Sequence, residues 1–157
     1  MKLKKILSDA SQLLGIDESD KANQKILFRC ANLVMANLAS NHFDYIELQN
    51  FAVTDGKIKY INFKKTFLKI KSVSCPYELF IDYICVPNGH VTVEYACIPE
   101  FKSPNSIVSI NQSLLLYGIL NEYASISGLV DEAKLYGQKF EQLLFGTKET
   151  GKSRRLP

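Results

Sequence analysis

The chain has 157 residues, 46% of them hydrophobic and 22% charged, a balance that excludes a disordered chain and suits one domain with a sizeable core. Its net charge is +3, and Lys148, Lys152, Arg154 and Arg155 against Glu149 account for all of it. The remaining 15 basic and 15 acidic residues cancel, which argues against a body built to coat nucleic acid.

Leu3, Ile6, Leu7, Ala10, Leu13 and Leu14 trace one face of a helix over 3–14, and Gly15 is suited to end it. Asp17, Glu18, Ser19 and Asp20 then cap a second helix, predicted over 19–41. Its apolar stripe runs through Ile26, Cys30, Leu33 and Asn37, flanked by Leu27, Val34 and Leu38. From Tyr45 the period changes from 3.6 to 2, which predicts a sheet over 45–98. Asp55-Gly56 is a two-residue hairpin signal that would set Val53 opposite Ile58 and Phe51 opposite Tyr60. A third strand is expected from Phe67 to Val73. Asn88-Gly89 signals a second hairpin, with Val86 opposite Val91, Ile84 opposite Val93, Phe80 opposite Cys97 and Cys85 opposite Thr92.

After Pro99 and Pro104 a helical hairpin is predicted over 109–146. Its first helix starts near Ser109 or Asn111 and closes at Gly128, which tolerates the left-handed backbone of a helix end. Asp131 and Glu132 fall in the first turn of the second helix, where the macrodipole favours acids. Leu129, Ala133, Tyr136, Phe140 and Leu143 follow at helical spacing on one face. The expected fold class is α+β: N-terminal helices, a small antiparallel sheet of hairpins, a C-terminal helical hairpin and a basic tail. A single domain over 1–146 is followed by a basic arm over 147–157.

Few residues offer chemistry. His42 falls at a helix end and His90 after a turn, in no metal-binding or catalytic motif. Asp82 and Glu94 are expected on different faces of paired strands, which excludes a carboxylate dyad. No enzyme activity, cofactor or metal is expected. Cys30, Cys75, Cys85 and Cys97 include no C-x-x-C pair and read as small buried hydrophobes. Glu122, beside Leu115, Ile119 and Tyr123, is either a half-exposed acid paired with lysine or a buried acid held across the hairpin or by a neighbouring subunit. Tyr117 and Tyr136 read as core or interface aromatics with the hydroxyl at the rim. MKLKKILSDASQLLG lacks a signal-peptide core, and no apolar run approaches the ~20 residues of a membrane span. A soluble protein made in a reducing cytoplasm is therefore expected, with no membrane partner.

The run from Asn111 to Tyr123, with Tyr117, Gly118 and Glu122, continues through Gly128, Glu132 and Ala133. It resembles the C-terminal helical hairpin of head–tail adaptor proteins, the neck or tail-accessory ring proteins of tailed bacteriophages. In that family a similar asparagine opens the helix, a glycine–hydrophobic–glutamate–tyrosine stretch follows, and a glycine turn leads into a Glu-Ala helix. Arg154-Arg155-Leu156-Pro157 is similar to a basic C-terminal arm of some members. The order of N-terminal helices and Asp-Gly and Asn-Gly turns is similar as well, so the resemblance covers most of the chain. Ser127 departs from it, preceding the turn glycine without the longer loop that some members carry.

The resemblance implies a non-enzymatic virion protein, with identical copies forming a ring, a dodecamer in the family. The ring would dock on the portal protein, extend the DNA channel and offer a surface to the tail or further neck proteins. DNA would pass through its lumen without specific binding. The protein would be made in the host cytoplasm and reside in the virion neck. Lys148, Lys152, Arg154, Arg155, Leu156 and Pro157 would form a partner-binding arm. The residues alone leave an alternative open, a small regulatory or nucleic-acid-binding module whose basic tail contacts phosphate.

Overall fold

The structure, a computed structural model, describes residues 1–150 and 154–155, with side chains described through Gly146. The fold is α+β. In chain order it holds α1 (Leu3–Leu14), α2 (Lys21–Asn41), β1 (Tyr45–Val53), β2 (Lys57–Lys59), β3 (Thr66–Val73), β4 (Glu78–Leu79), β5 (Tyr83–Cys85), β6 (Gly89–Ile98), α3 (Gln112–Ile126), α4 (Val130–Thr150) and β7 (Arg154–Arg155). A 3-10 turn, Tyr60–Asn62, follows β2. The chain divides into two compact units. One holds Met1–Leu38 and the chain from Glu100 through α4; the other holds Ala39–Pro99 and β7.

In the helical unit, α1 buries Leu3, Ile6, Leu7 and Ala10, and Gly15 closes it at a φ of 69°. Leu13, expected on the buried face, is 55% exposed. The burial arc turns instead toward Ser11, whose hydroxyl donates to the Leu7 carbonyl and accepts from Gln24 Nε2, both at 2.9 Å. A satisfied hydroxyl can be buried at small cost, so it fixes how α1 is rotated. The chain before α1 pairs with 104–108: Leu3 N donates to the Ser106 carbonyl and Val108 N to that of Met1, both at 2.9 Å.

Helix α2 starts where Asp20 Oδ1 accepts from Asn23 N, as the acidic cluster suggested. Its buried face is Leu27, Cys30, Ala31, Val34, Met35 and Leu38. The residues expected to flank the stripe are thus its centre, while Leu33 is exposed and Ile26 half-buried. Asn32 ties the returning chain, its amide both accepting from Phe101 N at 2.8 Å and donating to the Phe101 carbonyl at 3.3 Å.

Helix α3 packs lengthwise on α4. Their pairing with α2 is set by Gly118, where an added Cβ would lie 2.8 and 2.9 Å from the two Val34 methyls and 3.1 Å from Phe140. Phe140 and Leu144 are the buried residues of α4's face, while Ala133, Tyr136 and Leu143 are half-buried and Leu129 is exposed. Helix α4 runs on to Thr150, so Lys148 continues the helix instead of opening an arm at 147.

In the sheet unit, β6 is the centre. It pairs antiparallel with β1, from Ile46↔Ala96 to Val53↔Gly89, and with β3, from Thr66↔Ile98 to Val73↔Val93. Strand β7 adds to the far edge of β1, parallel, with Tyr45↔Arg154 and Ile46↔Arg155. A second sheet has the order β2-β5-β4. Both expected hairpin registers are therefore corrected. Val53 does not face Ile58, nor Phe51 Tyr60; Ile58 pairs with Ile84. Val86, Ile84 and Phe80 do not meet Val91, Val93 and Cys97, and Cys85 pairs with Lys57 and Glu78 instead of Thr92. The reason is geometric: a strand has two edges, and β1 and β3 occupy both edges of β6. Asp82 consequently lies in the bend between β4 and β5, not in a strand opposite β6.

The two turn signals are real but do another job. Gly56, at a φ of 71°, donates its N–H to Asn88 Oδ1 at 2.8 Å, and its carbonyl accepts from Val86 N at 3.0 Å. The Asp-Gly and Asn-Gly turns thus bind each other. Beside the larger sheet, Phe63 packs on Phe67, Phe51 and Tyr95 at centroid distances of 5.0, 5.0 and 4.5 Å, and Tyr60 stacks on Phe67 at 4.5 Å. These rings form one aromatic cluster.

Gly118→Ala should lower stability. Overpacking costs about 1–3 kcal/mol, more than the roughly 1 kcal/mol that alanine gains over glycine in a helix. Val34→Ala makes room, so the double variant should lose less than the sum of the two single losses in urea unfolding. Strict additivity would show that the helices do not meet at Gly118.

Candidate functional site

The hairpin residues singled out in the sequence, Asn111 to Ala133, lie in the helical unit, and several have defined structural work. Asn111 caps α3, its Oδ1 accepting from Leu114 N at 3.0 Å. Gly118 is the close-approach point. The Tyr123 hydroxyl donates to Asn23 Oδ1 at 3.1 Å, tying α3 to α2. Gly128 takes a φ of 73°, and Leu129 N, just beyond it, donates to the Ala124 carbonyl at 2.8 Å. Ala133 N then donates to the Leu129 carbonyl at 2.8 Å, opening α4, with Glu132 exposed in its first turn.

Two of the aromatic and acidic candidates face outward in part. The Tyr117 and Tyr136 rings lie 6.3 Å apart, and Lys139 Nζ sits 5.9 Å from the Tyr117 centroid. Glu122 is half-buried, which agrees in burial with the half-exposed of the two expected placements. Burial pushes the Cys30 thiol up to about 11, and the Glu122 carboxylate nearby adds to that rise.

The structure also exposes apolar residues, among them Leu129, which the helical spacing had placed on an apolar face. At the α3–α4 turn these are Ile126, Leu129 and Val130. In the sheet unit Ile61 is 86% exposed and Ile81 94%, with Leu79 and Phe80 beside them. Tyr60 holds their two segments together: its N–H donates to the Asp82 carbonyl at 3.2 Å and its hydroxyl to that of Phe80 at 2.8 Å. Phe80 stacks on Tyr83 at 5.0 Å, and Lys57 Nζ lies 4.8 Å over the Tyr83 ring. Apolar side chains held out on ordered backbone suit contact with another macromolecule. The signal for Ile81 was its neighbour Asp82, which breaks the apolar run at the bend.

Two clefts gather polar side chains. One, of about 390 Å³, is lined by His42, Asp44 and Lys69 together with Phe43, Leu68 and Ala96. Asp44 is occupied there. Lys71 Nζ donates to it at 2.5 Å and holds its carboxyl below the usual range, with Lys69 Nζ at 3.9 Å. The other, about 550 Å³, is a shallow groove with Asn37, Asn121, Lys134, Gln138, Glu141 and Gln142 on its walls. Neither sets a nucleophile beside a base. His90 lies in β6, directly after the Asn88-Gly89 turn. Among the described residues no three His, Cys, Asp or Glu side chains gather as metal ligands, and no helix is long and apolar enough to cross a membrane.

Of the basic arm, Arg154 and Arg155 are placed as β7 on the edge of β1, and Lys148 is in α4. Lys152, Leu156 and Pro157 lie outside the described residues. No protein-family model matches the sequence, and no curated protein matches it.

All four cysteines are free; Cys30 and Cys97 are buried, Cys75 is half-buried and Cys85 exposed. Cys97 is pushed up to about 11 by burial, with the Glu47 charge adding to the rise. A raised thiol pKa leaves little thiolate at neutral pH. A thiol reagent should therefore modify Cys85 first and Cys75 next, and reach Cys30 and Cys97 only with global unfolding. Labelling of Cys97 in the folded protein at the rate of Cys85 would contradict the burial described for β6.

Proposed function

We propose that this chain is a non-enzymatic structural protein of the virion, a ring-forming head–tail connector subunit. It docks on the portal, extends the DNA channel and presents an attachment surface to the tail or further neck proteins. The observation that supports this most is the organisation of the helical hairpin. Asn111, Gly118, Tyr123 and Gly128, four residues of the resemblance, are the cap, the close-approach point, the tether to α2 and the turn. Residues that build the hairpin are among those the likeness rests on, which is compatible with a shared scaffold.

Surface character supports the same reading. Apolar side chains stand exposed in each unit, at the α3–α4 turn and at Ile61 and Ile81. A ring subunit needs two different contact faces, because one side of each copy meets the other side of the next. The charge-balanced body suits a channel wall, since a basic lumen would hold phosphate and impede DNA passage. In this reading the helices form the ring wall and part of the portal contact. The paired turns at Asp55-Gly56 and Asn88-Gly89, with the apolar Ile61 and Ile81 segments, meet neighbours or the tail.

The test is to mix the protein with purified portal rings from the same genome and follow mass and shape by light scattering and negative-stain microscopy. A shift to a larger, capped ring is expected, weakened by removal of residues 151–157. No shift, with salt-sensitive retention on DNA, would overturn the connector reading in favour of a nucleic-acid-binding module.

A further inference from the structure

The two outer strands of the larger sheet are protected in different ways. Strand β3 carries Lys69 and Lys71, and its pairing with β6 slips twice, between Phe67 and Lys69 and between Ile70 and Ser72. Lysines and bulges are the usual means of blunting a sheet edge against a further strand. Strand β1 has neither. It is nine residues long, contains no lysine or proline, pairs with β6 without a register shift and leaves Leu48 exposed. An edge of that kind is open to strand addition. Its first two residues are covered by the chain's own C-terminal segment, β7.

Strand β7 is a separable part. It belongs with the sheet unit, whereas α4, separated from it by three residues, belongs with the helical unit. Two residues of parallel pairing make a weak contact within one chain. The same pairing made to a second copy would have the same backbone hydrogen bonds, so exchanging it costs little. Which partner prevails then depends on how near a second β1 lies. In dilute solution none is near. Subunits held side by side on a ring present one another at an effective concentration on the order of millimolar.

We infer that β7 is an exchangeable strand: in the free subunit it caps its own β1 edge, and in the assembled ring it pairs with Tyr45 and Ile46 of the neighbouring copy. This inference rests on the ring reading and adds to it the contact that links adjacent subunits. It also predicts a free subunit in which β7 stays on its own chain until neighbours are in place.

The test uses the full chain with Cys75 and Cys85 replaced by serine, leaving buried Cys30 and Cys97. Ile46→Cys and Arg155→Cys place thiols at directly paired positions. A chain carrying both should close an intrachain disulfide in dilute solution. Bound to portal rings and oxidised, it should instead give a ladder of chains linked end to end. A mixture of Ile46→Cys chains and Arg155→Cys chains on the same rings should give a crosslinked pair, about tenfold more of it than when Asn50→Cys, four residues out of register, replaces Ile46→Cys, because a disulfide tolerates only a narrow Cα separation. Only intrachain disulfides on well-formed rings would overturn strand exchange and leave the ring reading standing. Failure of the unmodified chain to bind portal rings at all would overturn both.

Discussion

The sheet unit depends on one constraint: β6 uses both of its edges. Because β1 and β3 lie on either side of it, the Asn-Gly turn cannot fold β5 back onto β6, and β5 must find partners elsewhere. It finds β2 and β4, which creates the second small sheet. The rings of Phe51, Phe63, Phe67 and Tyr95 cluster beside the larger sheet. The side-by-side turns at Gly56 and Asn88, the outward bend at Ile81 and the open edge of β1 all follow from that pairing. The features of this unit offered as contact surfaces are thus consequences of which strand sits in the middle.

The helical unit has its own fixed point, Gly118. A glycine inside a helix gives up intrinsic stability, and it is tolerated here because Val34 and Phe140 occupy the space a side chain would take. The buried face of α2 is centred on Leu27, Val34 and Leu38 for the same reason: Val34 must face the glycine. Asn111 and Gly128 mark the two ends of α3, and the Tyr123–Asn23 hydrogen bond holds its last turns to α2. With the hairpin fixed at these points, Ile126 and Val130 are left exposed at its turn, on rigid backbone. Rigid, exposed apolar positions lose little entropy on binding, which is what a docking surface requires.

Much of this fold was legible in the sequence. Helix ends were readable because they are local: Gly15, Asp20, Asn111 and Gly128 each act on neighbours within a few residues. The α+β order and the strand near Phe67 to Val73 followed from hydrophobic period. Strand partners were not readable. An Asp-Gly or Asn-Gly pair announces a change of direction, but the partner is decided by which distant strand buries the most apolar surface, and that is a tertiary choice. Finer rotation was also missed. Leu13 and Leu33 were expected to be buried because they are apolar, whereas Ser11 and Val34 set the rotation of α1 and α2 through a hydrogen bond and a close approach. At the candidate site, the hairpin residues were found by their likeness to the adaptor family, while the exposed Ile61 and Ile81 were missed. Exposure of an apolar residue has no sequence signature apart from the polar residue that interrupts its run.

The proposed connector role requires the chain to be a permanent part of the particle, present in as many copies as its ring demands. The most direct measurement is quantitative mass spectrometry of purified particles encoded by the same genome, comparing this chain with the portal protein. The account predicts that the chain co-purifies with full particles and holds a fixed, near-equimolar ratio to portal subunits through repeated gradients. Its absence from purified particles would contradict the account.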